Sequence, residues 1–268
     1  KDIVSRFWIM PHLIFFMAMG IGLKKLEDGL SPIYRKALLT VFCAFLLGFT
    51  SWNWHQESRH GHYAFADFGR NLLKPLPQNS IFFTLGDINT NTVRYVQNGE
   101  EFRQDIQVLD RSLMSYPWLK RIAVKHYPNI NLPGAFYHPS HPRGYDLKRL
   151  FDANYGKRPI YITYIKQKGA LESMDRSYQE HYDLIPYGLS FLVHKKAEAF
   201  DIDAYIKESA AFLTDPDKEF PELPAADSWE RVIYNNYWLA HHLRASKVLQ
   251  YAMENNYPAK YLHLSRQL

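Results

Sequence analysis

The spacing of hydrophobic and polar residues divides this 268-residue chain into three parts. The first contains two long apolar runs, at 7–23 and 37–54. In the second, short apolar runs alternate with helical patterns, which is typical of βαβ units. In the third, apolar residues recur at i, i+3 and i+4, which indicates helices. We therefore predict an α/β membrane-anchored protein. Two transmembrane helices precede a small three-layer or two-layer α/β domain with a mainly parallel sheet, and a C-terminal helical, repeat-like segment follows.

The same pattern sets the expected boundaries. Residues 1–54 form a transmembrane helical hairpin, 55–77 a connector, 78–196 an α/β soluble domain, and 197–268 a C-terminal helical region. Strands are predicted at 81–85, 106–109, 159–165 and, at the sheet edge because it contains proline, 182–193. Helices are predicted at 64–74, 91–97, 112–126, 202–214 and 228–255.

Both long apolar runs lack charged residues and approach the length of a membrane span. The predicted membrane-interface residues are Trp8, Lys24, Lys25, Arg35, Lys36, Trp52 and Trp54. By the positive-inside rule the basic loop at 24–36 faces the cytoplasm or an equivalent side, so the soluble part lies on the opposite side. Membrane lipids are then the first expected partner. The alternative is a pair of buried core helices in a soluble protein.

Polar residues follow the first two predicted strands. In parallel sheets ligands bind outside the carboxyl ends of the strands, so these residues are expected at one edge. A helix N-terminus after the first strand could also hold an anion. The alternative is that the aspartates cap turns and helices. No catalytic residue is predicted, and the candidate binding residues are Asp87, Asn89, Asn91, Arg94 and Asp110.

Composition adds few functional signals. The net charge of +5 and the pI near 9.0 could indicate an anionic partner, but no run of five basic residues occurs, so no nucleic-acid partner is predicted. A nucleotide-binding enzyme is the weakest alternative because GxGxxG and Walker motifs are missing. Two histidine pairs, 60/62 and 138/141, give at most half a metal site each, so no metal and no cofactor are predicted in this chain. The single cysteine, Cys43, excludes an internal disulfide.

Several segments resemble the transmembrane protein 260 family, membrane-embedded protein O-mannosyltransferases of the multi-span GT-C type. The similar segments are RFWIMPHL at 6–13, PQNSIFFTLGDINTNTVRYVQ at 77–97, FRQDIQVLDRSLMSYPWL at 102–119, NINLPG at 129–134, YDLIPYG at 182–188 and DSWERV at 227–232. The resemblance covers most of the chain and is to the C-terminal part of the family.

The resemblance implies a lipid-linked mannose donor and an acidic catalytic residue in an early luminal loop. No segment of this chain matches that loop, so no catalytic residue is carried over and enzymatic activity stays an open question. We expect a membrane hairpin and a luminal domain that position an acceptor protein, in the endoplasmic reticulum or another organellar membrane. The alternative is a catalytically silent, membrane-anchored accessory subunit whose partners are the neighbouring subunits of a larger membrane protein complex.

Overall fold

The computed structural model describes residues 9–57, 61–163, 175–256 and 259–267. The chain divides into two compact units, 1–62 and 63–268. The first unit contains helices α1 (Ile9–Asp28) and α2 (Pro32–Glu57). Among the described residues, one segment, Pro32–Trp54, is long and apolar enough to cross a membrane, with a mean hydropathy of 1.5. None of that segment is buried among the described residues. The span predicted at 37–54 lies inside it, whereas the span predicted at 7–23 stays a prediction.

The second unit is built on a five-stranded sheet in the order β2-β1-β3-β5-β4. Strand β1 pairs in parallel with β2 and β3, whereas β5 pairs antiparallel with β3 and β4. The strands are β1 (Ile81–Thr84), β2 (Gln107–Asp110), β3 (Ile160–Thr163), β4 (Tyr182–Tyr187) and β5 (Ser190–Lys195).

The prediction of a mainly parallel sheet is wrong, because the single element expected at 182–193 is a β-hairpin. Tyr187 pairs with Ser190, so only two residues separate the strands. The first of them, Gly188, has a φ of 58°, a backbone conformation that suits glycine in a tight hairpin turn. A two-residue turn can join only antiparallel strands, so β4 and β5 are antiparallel, and β5 is antiparallel to β3 as well. Pro186 lies in β4, at the sheet edge as expected.

Helices cover both faces of this sheet, which makes the unit three-layered. The helices of the second unit are α3 (Ala64–Leu73), α4 (Asp87–Gly99), α5 (Arg111–Met114), α6 (Leu119–His126), α7 (Leu147–Asn154), α8 (Ile202–Ala210), α9 (Pro216–Glu219), α10 (Trp229–Glu254) and α11 (Ala259–Gln267). On one face Phe82 and Val108 pack with apolar residues of α3, α4 and α10. On the other, Phe83 and Leu109 pack with residues of α5, α6 and α7. The C-terminal helices share these cores: Ile233 of α10 lies against the first face.

Arg103 joins the end of α3 to the entry of β2. Its Nη1 donates to the carbonyl of Leu73 at 3.0 Å and its Nη2 to that of Pro77 at 3.1 Å. Its Nε and Nη2 also bind the two carboxylate oxygens of Asp105, at 2.8 and 2.9 Å. This fork-to-fork pair holds the guanidinium in the plane that the carbonyls require.

The Arg103–Asp105 pair predicts a stability loss in acid. Hydrogen bonds from Arg103, with a further one from the backbone of Asn79, lower the pKa of Asp105 to about 2. A carboxylate with a depressed folded-state pKa stabilises the fold above its unfolded pKa of about 4 and loses that contribution as the pH falls towards 2. Wild type should therefore unfold at a higher temperature than Asp105→Asn at pH 6, with the gap closing near pH 2. Thermal unfolding followed by circular dichroism checks this, and a gap that does not depend on pH would contradict it.

Candidate functional site

A row of polar residues crosses four adjacent strands at the carboxyl edge of β1, β2 and β3. Asp110 is the register partner of Thr84, and Thr163 is that of Ser190. The backbone N–H of Leu85 donates to Thr163 Oγ1 at 2.8 Å, which joins the two pairs across β1 and β3. Register partners project from the same face of a sheet, so the row is continuous.

The row is buried and hydrogen-bonded. Thr84, Thr163 and Ser190 are each no more than 2% exposed. Thr90 Oγ1 of α4 donates to Thr84 Oγ1 at 3.0 Å, and Ser190 Oγ donates to the carbonyl of Tyr187 at 3.0 Å. Because these hydroxyls are used inside the protein, the row fixes the end of the sheet and presents little to a ligand.

The five candidate binding residues separate into three positions around this edge. Asp110 accepts the N–H of Ser112 at 2.9 Å as the N-cap of α5, which is the capping role considered as the alternative. Asp87, Asn91 and Arg94 stand at i, i+4 and i+7 of α4, so they share one face of the helix. The side chains of Asp87 and Asn91 are exposed, and that of Arg94 is half-buried.

Asn89 lies on the other side of α4. Its Nδ2 donates to the carbonyl of Leu85 at 2.8 Å, and its side chain lines a cavity of about 30 Å³ together with Ser190 and Asn236. A cavity of this volume has room for about one water molecule and is far too small for a sugar. Asn89 and Asn236 of α10 therefore line the same cavity at this edge. Local sequence patterns cannot show this, because the two residues are far apart in the chain.

A larger cleft, of about 380 Å³, opens at the opposite end of β3. Its lining combines two cationic side chains, Lys157 and Arg158, with the imidazole of His194 and the carboxylate of Glu198. Sequence reasoning missed this cleft because the two segments that form it meet only through β3–β5 pairing. A turn signal at Gly156, which has a φ of 78°, marks one side of the cleft.

Two tyrosines of the sheet, Tyr161 and Tyr187, have raised pKa values. Burial raises the pKa of Tyr161 and, with a smaller effect from Glu208, that of Tyr187. Both phenols thus stay neutral at physiological pH and act as packing groups with a ring contact of 5.4 Å between centroids. Among the described residues, no group of three or more His, Cys, Asp or Glu could hold a metal ion.

The predicted membrane-interface residues that the structure describes lie near the two ends of α2, in α2 itself or in the last turns of α1. At the start of α2, the basic residues are partly neutralised, because Lys24 Nζ lies 3.1 Å from Asp28 and Arg35 Nε lies 3.6 Å from Glu27. At its end, Trp52 is strongly exposed. The remaining members are Lys25 and Lys36, beside the turn between α1 and α2, and Trp54, near the end of α2, whereas Trp8 lies outside the described residues.

Comparison with known proteins identifies the family to which this chain belongs. A family model described as TMEM260-associated domain 2 matches residues 65–172, which include β1, β2 and β3. A Dictyostelium discoideum protein named protein O-mannosyl-transferase tmem260 is 30% identical over 250 residues, which cover 86% of this chain and 30% of that protein. The Mus musculus protein O-mannosyl-transferase TMEM260 is 23% identical over 251 residues, 89% of this chain and 34% of that protein. The chain belongs to the TMEM260 family.

The family expected from the sequence segments is thereby confirmed. The chain spans about a third of the length of these two TMEM260 relatives. No solved structure gives a significant match. The matched region of the family model contains four of the five candidate binding residues on α4, Asp87, Asn89, Asn91 and Arg94, and the fifth, Asp110, at the end of β2.

Proposed function

We propose that this chain is the membrane-attached, non-catalytic part of a protein O-mannosyltransferase and that its α/β unit positions the acceptor protein. The observation that carries the proposal is the match of nearly the whole chain to two relatives that are named O-mannosyltransferases and are about three times as long as the matched region. The reacting groups and the lipid-linked mannose donor would then be held by segments beyond this one. Holding an acceptor in a reactive orientation accelerates transfer without supplying any chemistry.

The arrangement at the carboxyl edge supports a positioning role. Asp110 is engaged in capping α5, and the neighbouring hydroxyls are hydrogen-bonded within the sheet. The face of α4 that carries Asp87, Asn91 and Arg94 is available to a partner. It presents hydrogen-bond donors, hydrogen-bond acceptors and a cation. A face of this composition suits a polar protein surface.

Attachment to the membrane would use α1 and α2 as a transmembrane hairpin. Both helices expose apolar side chains, such as Phe16 and Leu47. Two spans return the chain to its starting side, and the basic loop at 24–36 favours the cytoplasmic side, so the α/β unit would lie in the lumen of the endoplasmic reticulum or another organelle.

A second candidate is a catalytically silent accessory subunit. The observation that favours it is the exposure of large apolar side chains along α10, where Trp229 is 48%, Trp238 45% and Met253 54% exposed. Exposed aromatic and methionine side chains on one long helix are suited to contact with neighbouring subunits.

Kinetics of the full-length protein test the positioning role. Arg94→Glu should raise the KM for a folded acceptor about tenfold and leave kcat for a short peptide acceptor unchanged, because only uniform binding to the α4 face is lost. Lys207→Glu, a charge reversal at an exposed lysine of α8, is the matched control and should change neither value.

A double variant tests whether the aspartates are catalytic. Asp87→Asn with Asp110→Asn should keep kcat for the peptide within about twofold, and asparagine retains the capping ability at position 110. A fall in kcat of a hundredfold or more would overturn the non-catalytic assignment. An unchanged KM for the folded acceptor in Arg94→Glu would overturn positioning by α4. Purified full-length protein without any transferase activity would favour the accessory subunit.

A further inference from the structure

Acidic residues are missing from a long segment on one side of the α/β unit. The chain contains 27 Asp and Glu, about one in every ten residues, yet none occurs in residues 111–145. That segment contains Arg111, Lys120, Arg121, Lys125 and Arg143, and the formal net charge of the whole chain is +5. Arg111 is buried and the other four cations are exposed, so this segment presents four cations and no acidic side chain.

Helix α6 presents the exposed part of this region. Its Leu119 and Ala123 are buried in the core below the sheet. Trp118, Arg121, Ile122 and Lys125 stand at i, i+3, i+4 and i+7 and therefore share another face.

The side chains on this face combine cations with partly exposed apolar groups. Trp118 is 41% and Ile122 42% exposed, and both cations are exposed. Tyr116, itself exposed, stacks on Trp118 with 6.0 Å between ring centroids. We name these five residues the Trp118 patch: Tyr116, Trp118, Arg121, Ile122 and Lys125.

The composition of the Trp118 patch fits a lipid surface better than a protein partner. Tyr, Trp and Arg are enriched at protein–protein interfaces and Lys is depleted there, so the arrangement discriminates: the apolar members here alternate with cations and do not form a separate dry centre. Tryptophan and tyrosine with an apolar body and a polar edge, beside Lys and Arg, are the side chains enriched at the headgroup level of bilayers. Cations on such a helix are attracted to the phosphates of the headgroups.

We propose that the Trp118 patch docks the α/β unit on the surface of a phospholipid bilayer, with Trp118 and Ile122 entering the headgroup region and Arg121 and Lys125 bound to lipid phosphates. This proposal depends on the membrane attachment proposed above in one respect: the attachment brings the patch close to a bilayer. Docking would fix the height and tilt of the unit, and with them the face of α4 that meets an acceptor.

Fluorescence of the full chain in vesicles tests the docking. In a Cys43→Ser background, Ile122→Cys and, as a reference, Ser246→Cys on an exposed position of α10 each receive an environment-sensitive NBD label. The proteins are reconstituted into phosphatidylcholine vesicles with one-fifth phosphatidylserine, with and without lipids carrying a doxyl quencher near the headgroup. Alkaline extraction records separately whether the chain is inserted.

We expect the doxyl lipids to quench the label at position 122 at least threefold more than the label at 246. The double reversal Arg121→Glu with Lys125→Glu should remove most of that difference. The reversal Lys195→Glu with Lys207→Glu, which changes the net charge equally at exposed positions elsewhere, should preserve it.

Two results would overturn the proposal. One is an inserted chain whose label at 122 is no better quenched than the label at 246, which would leave the membrane anchor intact and refute docking by the patch. The other is a label at 122 that is already shielded in detergent solution without lipid and is insensitive to doxyl lipids, which would assign the patch to a protein partner. A chain that is extracted by alkali, yet shows quenching at 122, would support docking and contradict the transmembrane hairpin.

Discussion

Replacing Asp175 with alanine should lower the free energy of unfolding of the α/β unit by roughly 3–5 kcal/mol. Asp175 is 4% exposed, and its carboxylate accepts four hydrogen bonds. They come from the hydroxyl of Tyr137 at 2.9 Å, the N–H of Leu147 at 2.8 Å, and the N–H and hydroxyl of Ser177 at 3.0 and 2.6 Å. Alanine would remove the acceptor from the buried N–H of Leu147 and from the N–H and hydroxyl of the half-buried Ser177, and α7 would lose the anion at its first turn.

Asp146→Ala is the matched control for this prediction. Asp146 is the N-cap of the same helix and accepts the N–H of Arg149 at 2.8 Å, but its side chain is only half-buried. Its loss should cost about 1 kcal/mol, since water can replace it. Chemical unfolding of the full chain in detergent, followed by near-ultraviolet circular dichroism, separates the two. Equal losses in the free energy of unfolding for the two variants would show that the burial of Asp175 adds nothing to stability.

Replacing Gly69 with alanine is expected to destabilise the same unit by about 2 kcal/mol, although alanine is the better helix former. A Cβ at position 69 of α3 would lie 2.6 Å from the carbonyl oxygen of Thr92 and 2.8 Å from its carbon. Because the obstacle is the backbone of α4, no side-chain rotation relieves the contact. The two helices would have to separate, and Phe68 and Val93, which pack in the core they share, would lose contacts.

Gly99→Ala shows what the same substitution does without the close approach. At that position, the last of α4, a Cβ would meet Tyr95 at an ordinary 3.6 Å. We expect no loss and a gain of up to about 1 kcal/mol, because alanine reduces the freedom of the unfolded chain. Thermal unfolding of both variants against wild type measures the difference. A stability of Gly69→Ala at or above that of Gly99→Ala would mean that α3 and α4 are not held this tightly.

Sequence patterns located most of the elements because the signals are local. The apolar runs at β1 and β2 end at turn residues. Pro117 interrupts the helix predicted at 112–126 where the structure separates α5 from α6. The hairpin was missed although its signal, Gly188 followed by one residue between two apolar runs, is also local. The proline in β4 drew attention to the edge position and not to the reversal of direction.

The candidate site was harder to predict because its neighbours are distant in sequence. The βαβ pattern alone assigned Asp87 and Asp110 to one edge of the sheet. The pairing of Asp110 with Thr84 places Asp110 at that edge in the structure. No pattern could indicate that Asn236 of α10 closes the cavity beside Asn89, since that contact depends on how a long helix crosses the sheet. The cleft beside Lys157 and His194 likewise arises from the pairing of β3 with β5, whose partner residues are about 30 positions apart in the chain. Periodicity within a short window of sequence cannot show such a pairing.

The pairing of β1 with β3 determines when the α/β unit can fold during synthesis. Leu85 and Thr163, which join these strands, are separated by 78 residues. At ribosomal rates of about 5–20 residues per second, the central strand would wait roughly 4–16 s for its second neighbour. During that time one side of β1, with the wholly apolar residues Ile81, Phe82 and Phe83, has no sheet partner. The nascent chain should therefore depend on chaperones over this interval, and ribosome pauses between codons 85 and 163 should lengthen chaperone association.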